Sequence, residues 1–293
     1  MEKRAERLFA RRSNLGEGAL WAREADRLYW VDILDRRVMV FDPATASNRE
    51  IPLDHYPSTI VPRYGGGVMI TVESGFAELD LESGKVTVVA EVEAEVASNR
   101  FNDGKCDPGG RFWAGTMDFD LAVGKGALYR LDRSGEVTRV LDHVSCSNGI
   151  VWSSDARTMY YIDSVTQRVD AFDYDVDSGA ISRRRPAVEI PKQVGFPDGM
   201  TIDCEGMLWV ALYGGGKINR YDPRNGKLLG TVLVPRANLV TSCAFGGADL
   251  RDLYITTASC GYGDADWREH PDAGSLFLAR VDVAGVPAGV YRG

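Results

Sequence analysis

The chain has no Cys-x-x-Cys pair, no Gly-x-Ser-x-Gly segment, only three histidines and no apolar stretch of membrane-spanning length. Each lack removes a class of protein. Five cysteines, an odd number without paired spacing, do not make a disulfide framework or a thiolate metal site, and a reducing cytoplasm is the expected compartment. Without a nucleophile elbow, and with His55, His143 and His270 scattered, nothing supports a Ser-His-Asp triad or a histidine metal centre. A membrane helix needs about 18 or more apolar residues, and the N-terminal MEKRAERLFARRSN carries charge but no apolar core for a leader. The protein is expected to be soluble and unexported, with no membrane partner. Positive charge is also scarce: 34 Lys and Arg stand against 42 Asp and Glu, for a net charge of −8, and the longest basic run is Arg183-Arg184-Arg185. A nucleic-acid groove needs clustered Lys and Arg, so no nucleic-acid partner is expected.

What fills the chain instead is short strand-like runs. Arg27-Leu28-Tyr29-Trp30-Val31-Asp32, Gly67-Val68-Met69-Ile70-Thr71-Val72, Thr158-Met159-Tyr160-Tyr161-Ile162 and Gly206-Met207-Leu208-Trp209-Val210 are rich in aromatic and β-branched residues. Asp-Pro, Asp-Gly, Asn-Gly and Gly-Gly turn signals separate them. No segment keeps a helical period over three turns, which predicts an all-β chain.

Superposing these runs exposes a repeat. A strand rich in aromatics leads through a turn to a second strand ending in an apolar residue and Asp, at Phe41-Asp42, Leu79-Asp80, Leu131-Asp132, Phe172-Asp173, Tyr221-Asp222 and Val281-Asp282. Roughly 45 residues and four strands per unit match a propeller blade. The expected architecture is a six-bladed β-propeller with four-stranded antiparallel blades, one domain over residues 1–293, with Arg7-Leu8-Phe9-Ala10 pairing into the last blade to close the ring.

Ten or eleven residues ahead of each aromatic strand lies a polar residue: Glu17, Ser58 or Thr59, Asn102, Asn148, Asp198 and Ser242. A turn-opening role accounts for any one of them. Their recurrence at matching offsets points further, because rotation about a propeller axis would bring them together at one mouth of the channel. Carboxylates, amides and hydroxyls gathered there suit a hard divalent cation, which also relieves repulsion between like charges. The densest stretch, from Ser98 to Asp118, adds Arg100, Asp103 and Lys105 around Asn102. Cys106, Cys146, Cys204 and Cys243 also lie near these motifs and are read as small buried hydrophobes.

Asn14-Leu15-Gly16-Glu17-Gly18-Ala19-Leu20-Trp21, Asn99-Arg100-Phe101-Asn102-Asp103-Gly104-Lys105, Ala114-Gly115-Thr116-Met117, Cys146-Ser147-Asn148-Gly149-Ile150 and Phe196-Pro197-Asp198-Gly199-Met200 resemble the signature segments of the regucalcin/gluconolactonase family of six-bladed propellers. The resemblance implies one divalent cation held by Glu17, Asn148 and Asp198, with Asp198 also the acid/base residue. It implies that Arg100 and Asn102 bind a sugar lactone. A further acid after Gly-Thr-Met falls at Asp118 or Asp120, and Asp120 matches when no gap intervenes.

The implied reaction is hydrolysis of an aldonolactone, such as glucono-, xylono- or arabinonolactone, to the sugar acid. A cation polarises the ester carbonyl and activates water, and a neighbouring carboxylate moves the proton. Calcium, magnesium, manganese, iron and zinc all accept oxygen ligands. The alternatives are a non-catalytic divalent-metal-binding or interaction propeller and a phosphotriesterase-like esterase, since a fold does not fix a function. A monomer or weak homodimer is expected. The loops between Leu53 and Pro62 and between Gly261 and Ala273, which carry Tyr56, Tyr262 and Trp267, are expected to overhang the mouth.

Overall fold

The repeat in the sequence is a repeat in space. A computed structural model describes residues 2–293, and its strands form six antiparallel sheets, one for each unit of the repeat. Blade one is Gly16–Ala22, Arg27–Asp32, Arg37–Asp42 and Ser47–Pro52, and its strands pair in chain order from the inside outward. The innermost strands of the other five blades are Thr59–Pro62, Asn99–Cys106, Ser147–Trp152, Phe196–Ile202 and Val240–Gly246. Burial follows this radial order. Gly16–Ala22 and Val240–Gly246 are buried throughout, whereas the outermost strand of blade two, Val86–Glu91, is mostly exposed.

Each apolar-Asp pair falls within a residue of the end of a blade's third strand, and in blades one, two and five the aspartate closes the next turn. Asp42 accepts the Ala44 N–H, Asp80 those of Glu82 and Ser83, and Asp222 that of Arg224. A short carboxylate that bonds the backbone two residues on sets such a turn. A second device recurs in blades three and five. Asp107 takes the indole N–H of Trp113 at 2.9 Å and the hydroxyl of Tyr174 at 2.7 Å, while Asp203 takes the indole N–H of Trp209 at 2.8 Å. The central tryptophans are thus fully buried with their one polar atom satisfied.

Between blades, hydrogen bonds lock the inner strands around the axis. Thr59 Oγ1 donates to the Gly104 carbonyl, Asn102 Nδ2 to the Ser147 carbonyl, and Ser164 Oγ to the Pro197 carbonyl. The ring closes where the sequence places it: Glu6–Phe9 pairs antiparallel with Leu276–Arg280 as the outermost strand of blade six. One strand is additional. Glu2–Arg4 runs parallel to Lys227–Leu233, giving blade five a fifth strand, and the buried Ala5 between the two segments donates its N–H to Leu233.

One six-residue α-helix, Asp264–Glu269, departs from the all-β expectation; it is too short to leave a periodic pattern. Its first turn carries Asp264 and Asp266 and its last Arg268, the charge order a helix dipole favours. Among the described residues no helix is long and apolar enough to cross a membrane.

Candidate active site

In five of the six inner strands the register slips near the inner end. The shifts fall between Glu17 and Leu20, Phe101 and Gly104, Ser147 and Ile150, Pro197 and Met200, and Val240 and Ser242. A bulge of this kind bends a strand and re-aims a side chain. Glu17, Asn102, Asn148 and Asp198 sit at these slips, and all four line one cavity of about 370 Å³. Blade two pairs without a slip from Thr59 to Pro62, and its candidates do not reach the cavity. Ser58 bonds Thr71 at 2.7 Å instead, and Thr59 braces blade three. Ser242, in the sixth, is buried with its hydroxyl unpartnered and lies outside the lining.

Glycine permits the close approach. A Cβ at Gly149 would stand 2.6 Å from that of Met200 and 2.9 Å from the Asp198 carbonyl, so the strands bearing Asn148 and Asp198 meet only because Gly149 has none. Gly149→Ala is expected to cost about 1–3 kcal/mol of stability, measured by urea denaturation, and to weaken cation binding. An unchanged midpoint would show that the blades give way freely.

Two carboxylates stand behind the site as braces. Asp32, at the end of blade one's second strand, accepts the N–H groups of Asn14 and Leu15, and Asp163, its equivalent in blade four, accepts those of Ser145 and Cys146. They fix the segments leading into Glu17 and Asn148. The tell-tale in the sequence is an aromatic strand ending in Asp, at Tyr29-Trp30-Val31-Asp32 and Tyr160-Tyr161-Ile162-Asp163. Asp118 ends the second strand of blade three in the same way, and its carboxylate accepts the N–H groups of Asp120 and Ala122. These bonds hold the Asp118 carboxyl below its ordinary pKa. They also turn the loop so that Phe119 and Leu121 line the cavity while Asp120 is exposed and does not. The position matched to Asp120 therefore lies outside the lining, and so does Asp118.

The electrostatics of the floor are those of a cation site. Burial, then the neighbouring charge of Asp103, raises the Glu17 carboxyl to about 8. Burial, then Glu17 and Asp103, raises Asp198 well above its ordinary value. Asn148 gives its Nδ2 to Ser164 Oγ at 2.9 Å, which leaves Oδ1 on the opposite side of the amide, buried and unpartnered. Asp198 Oδ1 and Asp103 Oδ2 are buried and unpartnered too. Buried oxygens without partners are costly, and a divalent cation in the cavity would satisfy those of Asn148 and Asp198, which line it. Among the described residues no three His, Cys, Asp or Glu side chains form a metal cage, and the third donor here is the amide.

Arg100 is 6 % exposed and lines the same cavity. Burial lowers its pKa, and the facing Cys146, Glu17, Asp198 and Cys260 act the other way. Its Nη1 donates to Asn102 Oδ1 at 2.7 Å, so Asn102 orients the guanidinium as well as bridging to blade four. Sequence reasoning did not find Cys260, Tyr213, Phe119, Leu121 or Val165, all in the lining. Cys146 lines it as well, its thiol pushed by burial up to about 12. All five cysteines are free, and none of the three histidines lines the cavity. Tyr56, Tyr262 and Trp267 do not line it either. Tyr56 packs edge-on against Phe119 at 5.4 Å, and Tyr262 against Trp267 at the same distance.

A six-bladed propeller with two carboxylates, two amides and a guanidinium lining one cavity is the class this chain defines. The family described as SMP-30/Gluconolactonase/LRE-like region matches residues 15–259, and the chain belongs to it. The regucalcin of Danio rerio is 41% identical over 293 residues, covering 99% of each chain. The Bacillus subtilis (strain 168) protein named "Putative sugar lactone lactonase YvrE" is 40% identical over 274 residues, covering 94% of each. Among solved structures, the regucalcin of Agrobacterium tumefaciens str. C58, described as a calcium-binding protein, superposes with a TM-score of 0.95 at 27% identity, covering 100% of this chain and 99% of that one. A luciferin-regenerating enzyme superposes with a TM-score of 0.92 at 32% identity, covering 99% of each.

Proposed function

We propose that this protein is a divalent-metal-dependent lactonase that opens a sugar lactone, an aldonolactone, to its acid. The observation that carries this reading is the convergence of Glu17, Asn148 and Asp198 on one cavity, two of them with unpartnered buried oxygens, beside a buried Arg100. Those three side chains would hold the cation. Bound there, a divalent cation supplies a Lewis acid for the ester carbonyl and activates water. Asp198 takes the proton released as water adds to the carbonyl and returns it to the ring oxygen as the C–O bond breaks. Arg100 offers a planar fork of donors for hydroxyl or carbonyl oxygens, and Asn102 holds that fork in place. The test is acid release from D-glucono-1,5-lactone, D-xylonolactone and L-arabinonolactone by chelator-treated protein, with and without added cation. Absence of metal-dependent hydrolysis on all three would favour a non-catalytic cation-binding propeller, a reading supported by the calcium-binding description of the Agrobacterium relative. Paraoxon in the same panel tests phosphotriester hydrolysis.

Asn102→Ala is expected to lower kcat/KM by roughly ten- to hundredfold, the range for losing a buried donor or acceptor. Because its amide oxygen is bonded to Arg100, the loss should extend to an unsubstituted δ-lactone. A loss confined to hydroxylated lactones would instead assign the amide to a substrate hydroxyl.

A further inference from the structure

The floor of the cavity is polar, but its rim is not. Four of the eleven large apolar side chains exposed on the described surface, Phe119, Leu121, Val165 and Phe196, line this one cavity, at 38, 57, 44 and 49 % exposure. They come from three successive blades: Phe119 and Leu121 from the loop after blade three's second strand, Val165 from the 3-10 turn of blade four, and Phe196 from the start of blade five's inner strand. Exposed apolar residues scattered singly need no explanation, whereas a cluster around a cavity marks a binding surface.

The rim is also held in place. Phe119 lies between the edge of Tyr56 and the guanidinium of Arg100, which stands 5.7 Å from its ring centroid. Tyr56 is fixed in turn by Arg36, which donates to its hydroxyl at 2.8 Å and covers its ring. Leu121 sits at φ 61°, a conformation uncommon outside glycine, and its N–H donates to the Asp118 carbonyl. Val165 is carried on a turn pinned by Ser164 to Pro197 and by Thr166 to Asp163.

The polar side chains, by contrast, are largely engaged. With Glu17, Asn148 and Asp198 assigned to the cation, Asn102 is bonded to Arg100 and Ser147, and Ser164 to Pro197. Arg100 is left as the main side-chain donor for substrate oxygens, and the apolar rim stands beside it without a polar role.

We propose that the site also takes lactones bearing a hydrocarbon substituent, with the ring on the polar floor and the chain across the rim of Phe119, Leu121, Val165 and Phe196. The inference rests on the lactonase reading above and names a second substrate class for the same site. Each methylene brought onto this half-open apolar surface adds roughly two- to fourfold to kcat/KM, until the chain outgrows the rim.

The experiment is a series of δ-lactones differing only in the alkyl chain beside the ring oxygen, from δ-valerolactone through δ-hexalactone and δ-octalactone to δ-decalactone, run alongside D-glucono-1,5-lactone with the cation-loaded protein. The wild type is expected to gain at least roughly tenfold in kcat/KM from δ-valerolactone to δ-decalactone. Leu121→Ser/Phe196→Ser should flatten that gain, as should Val165→Ser, which changes a different blade and guards against a folding defect in the double variant. A flat or falling response in the wild type, beside clear hydrolysis of gluconolactone, overturns this proposal alone. A gain that survives in both variants overturns it as well, since the rim would not then be the acceptor. No hydrolysis of any lactone, sugar or alkyl, overturns the lactonase reading and this one with it.

Discussion

Asp198→Ala is expected to abolish lactone hydrolysis, with kcat falling on the order of a thousandfold or more, because one side chain is asked both to bind the cation and to move the proton. General acid-base catalysis alone is worth about 10²–10⁴, and loss of the Lewis acid adds to that. The same substitution should not harm the metal-free fold. Asp198 is buried, strongly disfavoured as an anion, and faces Glu17 and Asp103, so its removal relieves repulsion. The check is acid release in a pH-stat, with elemental analysis of protein purified without chelator and thermal melting. Equal metal in variant and parent would remove Asp198 from the ligand set, and equal turnover would remove it from the chemistry.

The metal-free protein is expected to lose stability as pH rises, the reverse of what an ion-paired carboxylate produces. Glu17 titrates near 8 in the fold against 4.5 for an ordinary glutamate. Between those values the native protein holds a proton that the unfolded chain has released, so unfolding becomes easier with each step up in pH. Its contribution is complete below about 4.5 and is lost progressively up to about 8, with Asp198, also raised, acting in the same direction. A divalent cation takes the place of the shared protons, and its stabilisation grows with pH as the ligands ionise. Melting of chelator-treated protein at pH 5.5 and 8.5, with and without calcium or zinc, reads both effects. A metal-free Tm that rises toward pH 8.5 would mean that the acids are not buried together.

How much of this the sequence disclosed depends on the kind of signal involved. The blades were legible because their devices are local: a β-rich run, a turn, and an aspartate that bonds the backbone two residues further on, as at Asp42 and Asp80. Glu17, Asn102, Asn148 and Asp198 were legible because each repeats at one offset within a blade. That offset identifies a blade position and says nothing about whether the strand slips there. Blade two has the offset without the slip, so Ser58 and Thr59 met the pattern yet turned to other partners. Asp120 has the spacing without the position: the Asp118 carboxylate accepts the N–H groups of Asp120 and Ala122, and the turn so formed leaves Asp120 exposed and outside the lining. The rim was invisible, since Val165 and Leu121 belong to no repeat and meet only through the assembled ring.

The strand that closes that ring also bears on how the chain comes to be made. Residues 6–9 find their partner only in residues 276–280. On a ribosome adding about 5–20 residues per second, the early segment waits on the order of 10–50 s with its hydrogen-bonding edge unsatisfied. During that interval it is a free strand in a crowded cell, the kind of edge that invites pairing with a neighbouring chain. Its composition answers the hazard: of these four residues Glu6 and Arg7 are charged and exposed, and Leu8 and Phe9 carry the apolar side chains for the last blade to collect when it arrives.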